Sequence, residues 1–167
     1  GRETAPKRDE LTKSEREAIS KWIQYKYCNE KGITKKEKIK RRIWGLAFTI
    51  MHFTGCRSIE LIKMKWADIR DLRSGDKLQQ EFNKVIYIPT ENSKTGRSRE
   101  LVAPIADQLK SLKKWYKQEP FSFECTPDRY VFPRLTLTDI ENNIPTTRVA
   151  WEKRLRQVMQ GSERDGA

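Results

Sequence analysis

Residues 44–64 read WGLAFTIMHFTGCRSIELIKM. The first ten, WGLAFTIMHF, are apolar almost all round. That pattern marks a helix buried on every side, not a surface helix with one apolar stripe. Extended backward, Ile39, Ile43, Leu46, Ala47, Ile50 and Phe53 recur at helical spacing and predict a helix from about Lys36 to Thr54. Gly55 stands where a C′ glycine ends a helix. Cys56 and the bare Arg57 follow, and Glu60, Leu61 and Ile62 predict a short helix over residues 58–64. A guanidinium directly after the most apolar helix of the chain is expected to be partly buried. Burial obliges it to find an acceptor, because an unpaired buried charge is costly.

Outward from this centre the chain reads as a mainly helical α+β domain with one small antiparallel sheet. Thr12 and Glu15 form a T-x-x-E capping box for a helix to about Tyr27, with Ile19, Trp22, Ile23 and Tyr27 on one face. Val85–Ile88 is a β-branched and aromatic run stopped by Pro89. The stretch TENSKTGRSR is turn chemistry, and Arg99–Val102 can return as the partner strand. Pro104 suits the first turn of another helix, with Ile105, Leu109, Leu112, Trp115 and Tyr116 inward. YVFP (130–133) is a short apolar piece before a loop. Thr146 or Thr147 can cap a last helix carrying Trp151, Leu155, Val158 and Met159. Residues 1–10 are polar and expected to be loose, and the end, QGSERDGA, is not expected to fold alone.

The 167 residues fit one domain, and the net charge of +12 calls for an anionic partner. DNA or RNA comes first, ahead of an acidic protein or a membrane surface. No run approaches the roughly 18 apolar residues of a membrane span, and the start carries no signal-peptide pattern. Three distant cysteines, Cys28, Cys56 and Cys125, make neither a disulfide framework nor a zinc spacing, which fits a reducing cytoplasm. With His52 as the one histidine, any site needing two is excluded within this chain.

Two readings of Arg57 and Glu60 stand side by side. Separated by three residues, they can pair on a helix surface for a few tenths of a kcal/mol. Alternatively, Glu60 holds one side of the guanidinium while its remaining donors face outward, a planar fork suited to phosphate oxygens. The loop SKTGRSR likewise reads either as a solvated basic turn or as a phosphate-contacting tip. In the second case Lys94 reaches a nucleic-acid backbone or donates a proton to a leaving oxygen, and Arg97 and Arg99 bind neighbouring phosphates.

FTGCRSIELIKMKWADI (53–69) followed by VIYIPTENSKTGRSRELVAP (85–104) resembles the catalytic domain of tyrosine recombinases, the phage integrase family. The family pattern runs TG-x-R-x-x-E-L-x-x-L-x-W-x-D-I, then a strand, K-T-G-x-x-R and a return strand ending at a proline-started helix. Thr54, Gly55, Arg57, Glu60, Leu61, Trp66, Asp68 and Ile69 match in order, as do Lys94, Thr95, Gly96, Arg99 and Pro104. YVFP and a helix at 147–160 fall where the family has them, and DELTKSEREAISKWI (9–23) resembles its opening helix.

The resemblance implies site-specific DNA recombination or integration. A tyrosine hydroxyl cuts one strand, holds a 3′-phosphotyrosyl link and passes the phosphate to another 5′-hydroxyl, with no metal or nucleotide cofactor. It gives Arg57 the role of first clamp arginine on the non-bridging oxygens, Lys94 that of proton donor to the leaving 5′-oxygen, and Glu60 that of a brace for Arg57. The family's second arginine lies in H-x-x-R, followed by a histidine or tryptophan and the tyrosine; no H-x-x-R occurs here. His52 is read as a packing residue. Tyr25, Tyr27, Tyr87, Tyr116 and Tyr130 are all expected to sit on core helices or strands. The resemblance therefore implies a partial catalytic domain over residues 11–160, with 161–167 a polar tail where the missing segment would begin. Such a chain binds double-stranded DNA but does not cut it. It is monomeric alone and oligomeric on DNA when whole, and it belongs to the nucleoid of a bacterium, phage or mobile element. The rivals are a non-enzymatic DNA-binding or regulatory protein on the same scaffold, a ribosome-associated basic domain and a type IB topoisomerase.

Overall fold

The computed structural model describes residues 12–73, 75 and 81–164, apart from the side chains of Arg16, Gln24 and residues 162–164. Residues 1–10 and the last part of the expected tail, 165–167, lie outside the described residues.

Local capping chemistry starts most helices. Helix α1 (Lys13–Tyr25) opens with a full capping box: the Glu15 N–H donates to Thr12 Oγ1 and the Thr12 N–H to Glu15 Oε1, both at 3.1 Å. Helix α2 (Lys35–Thr54) opens on Thr34, whose hydroxyl accepts from the Glu37 N–H at 3.1 Å. It ends at Gly55, whose φ of 68° is left-handed and favours glycine. Between these caps α2 buries Ile39, Ile43, Trp44, Ala47, Phe48 and Ile50, and it is the central helix. Phe53, expected on the same stripe, is 43% exposed. It lines an open groove of about 950 Å3 bounded by α1, α2 and Gln108, so the stripe ends one turn early.

Helix α3 (Ser58–Ile62) follows directly. The sheet is three antiparallel strands in the order β1 (Ile69–Asp71), β2 (Lys84–Ile88), β3 (Arg99–Ala103). Ile69 faces Ile86, Ile86 faces Leu101 and Ile88 faces Arg99. The β2–β3 hairpin agrees with the expected pairing, each strand being one residue longer. Strand β1 was not expected, since three residues without a β-branched run give no period to read. Pairing with β2 is what makes it a strand.

Helix α4 (Ala106–Lys117) buries Leu109, Leu112 and Tyr116 against the sheet and α2, and the Tyr116 hydroxyl donates to the Val131 carbonyl at 2.5 Å. The apolar piece at 130–133 leads to a second unexpected element, the five-residue α5 (Leu137–Glu141), capped by Thr136. Helix α6 (Arg148–Arg164) is capped by Thr147, whose Oγ1 accepts from the Ala150 N–H at 3.1 Å. Trp151, 1% exposed, packs on Trp44 at a ring separation of 5.4 Å and joins α6 to the main core. A second, smaller core joins Ile19, Ile23 and Tyr27 to Phe48 and Val158.

Helix α6 continues past the expected end near residue 160, and the reason is packing. Gly161 is buried, and a Cβ there would lie 2.3 Å from the Trp22 ring of α1. An indole cannot swing aside as a flexible chain can. Gly161→Ala is therefore expected to destabilise by about 1–2 kcal/mol: a clash with three ring atoms belongs in the upper part of the overpacking range, roughly 2–3 kcal/mol, and better helix propensity offsets about 1. Thermal unfolding should show a Tm lowered by roughly 2–8 °C; an unchanged or higher Tm would contradict this packing.

Among the described residues, no helix is long and apolar enough to cross a membrane.

Candidate nucleic-acid interface

The site is built where α2 stops. The Gly55 N–H closes the last turn onto the Met51 carbonyl at 2.9 Å, and its left-handed backbone turns the chain. Cys56 is buried, and burial pushes its thiol up to about 11, only partly offset by the Thr54 hydroxyl. It stays protonated at neutral pH and is not a ready nucleophile. Arg57 is the N-cap residue of α3, with extended backbone. Its N–H donates to Glu60 Oε1 at 2.8 Å. This is the returning half of a capping box, the N3 carboxylate reaching back to the cap N–H.

The Arg57 side chain differs from expectation. It is exposed, and among the described residues no carboxylate pairs with it. The ion-pair partner of Glu60 is Arg99 instead: Arg99 Nη2 donates to Glu60 Oε1 at 2.6 Å. The Glu60 side chain is 0% exposed and that of Arg99 37%. Glu60 thus braces the backbone of residue 57, not its guanidinium. The reason is chemical: the free N–H groups at a helix start need an acceptor, which the Glu60 carboxylate is, whereas a guanidinium has only donors and nothing at the helix start to hold it.

The hairpin carries the other expected residues. After Ile88 the chain makes a 3-10 turn at Thr90–Asn92, and the Ser93 N–H donates to the Pro89 carbonyl at 3.1 Å. Gly96, at φ 74°, donates to the Ser93 carbonyl at 3.3 Å. Lys94 and Arg97 on this tip are exposed, and neither meets a carboxylate among the described residues. Asn92 Nδ2 reaches the Lys63 carbonyl at 3.5 Å, a second and weaker link between tip and α3. Of the four expected basic residues, three face solvent without a carboxylate partner among the described residues and one, Arg99, is engaged inward.

The Glu60–Arg99 pair, 39 residues apart, was not foreseen. One signal was available: Glu60 lies in the run Ile59-Glu60-Leu61-Ile62, where a charge amid apolar neighbours must be buried and needs a cation.

The tyrosines correct another expectation. Tyr27 and Tyr116 are buried, but Tyr25 and Tyr87 are 61% and 46% exposed. Tyr25 ends α1, and Tyr87 is on the outer side of β2, between the inward Ile86 and Ile88. Burial raises the hydroxyls of Tyr27 and Tyr116 above the usual range, so neither ionises readily. His52 is half-buried, its ring 5.3 Å from that of Phe53, which agrees with packing. Among the described residues, no three of His, Cys, Asp or Glu gather as metal ligands.

A cleft of about 670 Å3 between β1 and α4 also has basic walls; of its four cations Lys84 pairs with Asp71, Arg70 pairs with Glu100 and Lys113 lies over the Trp66 ring. The Arg57, Lys94 and Arg97 groups do not line it. They project from the surface, an arrangement that suits a large anionic partner more than a small one. No family model matches this chain, and neither curated proteins nor solved structures yield a match.

Proposed function

We propose that this chain is part of the catalytic domain of a tyrosine recombinase and binds duplex DNA through its phosphates. One observation carries the reading. The T-G-x-R corner and the K-T-G loop, far apart in sequence, are tied through one buried carboxylate, and Arg57, Lys94 and Arg97 are left exposed and, among the described residues, without a carboxylate partner. A protein with a net charge of +12 has the long-range attraction such contacts need.

In the reaction this reading implies, a tyrosine oxygen displaces the 5′-oxygen at phosphorus. The P–O(Tyr) bond forms, the P–O5′ bond breaks, the leaving oxygen takes a proton from Lys94 and the phenol's proton passes to solvent. Arg57 holds the non-bridging oxygens as they gain charge. None of the five tyrosines occupies the nucleophile's place in the family motif, which follows H-x-x-R. This chain alone is therefore expected to form no covalent adduct with duplex DNA on a denaturing gel; a recovered adduct would overturn that part of the reading.

The testing experiment is fluorescence anisotropy with duplexes of several sequences. Lys94→Ala should weaken all of them about equally, since phosphate contacts carry no sequence information. Absence of any DNA binding at low salt would sink the proposal.

A further inference from the structure

We propose that Glu60 and Arg99 form a buried latch that fixes the basic hairpin tip relative to the start of α3, and that Arg99 is a positioning residue instead of a phosphate contact. The proposal deepens the DNA-binding reading and rests on it for one arm of its test only.

A single oxygen, Glu60 Oε1, accepts from two distant places in the chain: the backbone N–H of Arg57 at 2.8 Å and the guanidinium of Arg99 at 2.6 Å. Glu60 is wholly buried, so the contact is not diluted by water as a surface pair is. Arg99 is the first residue of β3 and lies opposite Ile88, the last of β2. It therefore stands at the neck of the 89–98 connection, which carries both Lys94 and Arg97. Holding the neck limits where the tip can go. The Asn92–Lys63 contact at 3.5 Å is too long to do this alone.

The pair is single-pronged. Glu60 Oε2 and Arg99 Nε are both buried without a hydrogen-bond partner among the described residues. A forked arginine–carboxylate pair would not survive replacement by lysine. A pair resting on one N–H donor can. Arg99→Lys is thus expected to rescue what Arg99→Met loses, which distinguishes a latch from a site needing the guanidinium plane.

The test combines amide hydrogen exchange with DNA binding across salt. In Arg99→Met, the amides of Asn92, Ser93 and Gly96, all hydrogen-bonded within the tip, should exchange at least about tenfold faster, while those of α2 stay protected. Arg99→Lys should restore the parent rates. In the binding arm, Lys94→Ala should reduce the log–log salt slope by about 0.9, the share of one phosphate contact. Arg99→Met should leave the slope unchanged and lower affinity several-fold, through a tip no longer held in place. A slope loss of about 0.9 for Arg99→Met, or unchanged tip exchange in the folded variant, would overturn the latch. Should the parent chain bind no DNA, the recombinase reading falls and the exchange arm still decides the latch. Should Arg99→Met fail to fold, Glu60→Gln takes its place, with faster tip exchange expected and unchanged exchange overturning the proposal.

Discussion

Raising salt from 50 to 200 mM is expected to weaken duplex binding by this chain about 40-fold or more. The figure follows from counterion release. Three exposed cations, Arg57, Lys94 and Arg97, each neutralising one phosphate, give a log–log slope of about −2.7, and a fourfold rise in salt then costs roughly 1.6 decades. Further contacts from the basic surface would steepen the slope. The triple variant Arg57→Ala/Lys94→Ala/Arg97→Ala should flatten it by about 2.7, leaving only what the rest of the surface supplies. Anisotropy titrations at four or five salt concentrations measure this directly. A slope near zero for the parent, or an unaltered slope for the triple variant, would show that these groups do not face the phosphates. The bare affinity is less informative, because a chain with a net charge of +12 will attract any polyanion at low salt.

Trp151→Ala is expected to remove about 4 kcal/mol of stability, the middle of the range for truncating a buried aromatic. Few positions combine as much. Trp151 is 1% exposed, its ring packs on Trp44 of α2, and its indole N–H donates to Ser58 Oγ of α3 at 3.1 Å. Its loss leaves a cavity between α6 and the central helix and leaves the Ser58 hydroxyl without that donor, at the first residue of the helix that Arg57 caps. For a domain of this size the Tm should fall by roughly 8–16 °C. Against a typical total of about 5–15 kcal/mol, the variant stays folded only if the parent is well above the minimum. Trp151→Phe should recover most of the packing and lose the hydrogen bond, costing about 1–2 kcal/mol. Val149→Ser, two residues earlier and 75% exposed, should change the Tm by little and serves as control. A Tm drop of only a degree or two in Trp151→Ala would mean that α6 is not seated on the core as described.

The DNA-binding reading and the stability reading meet at α3. Ser58 anchors it to α6, Glu60 anchors it to β3, and Arg57 projects from its start. Five residues are too few to make a stable helix alone. The position of Arg57 is therefore set by tertiary contacts on both sides, and variants that loosen either contact should weaken DNA binding without touching a phosphate.

The amino-acid sequence by itself determined the parts whose signals are local and repeated. The all-round apolar run at 44–53 required a buried helix, Thr12 with Glu15 specified its neighbour's start, and Val85–Ile88 with the glycine-containing turn specified a hairpin. It also made the charge and the exposed basic tip legible, since both are matters of composition and turn chemistry. Tertiary structure alone decided the rest. Strand β1 and helix α5 are too short to carry a period; β1 exists because it pairs with β2, and α5 because Ile140 is buried in the main core and its carbonyl accepts from Arg129 Nη1. Tyr87 faces outward because strand alternation puts it between two buried isoleucines. The partner of Glu60 was decided the same way. Helical spacing offered Arg57, three residues away, but a buried carboxylate takes whichever cation the fold brings to it, and the hairpin brings Arg99 from 39 residues further on. That exchange frees Arg57, because a carboxylate oxygen occupied by one guanidinium and one backbone N–H has little left for a side chain that already points to solvent.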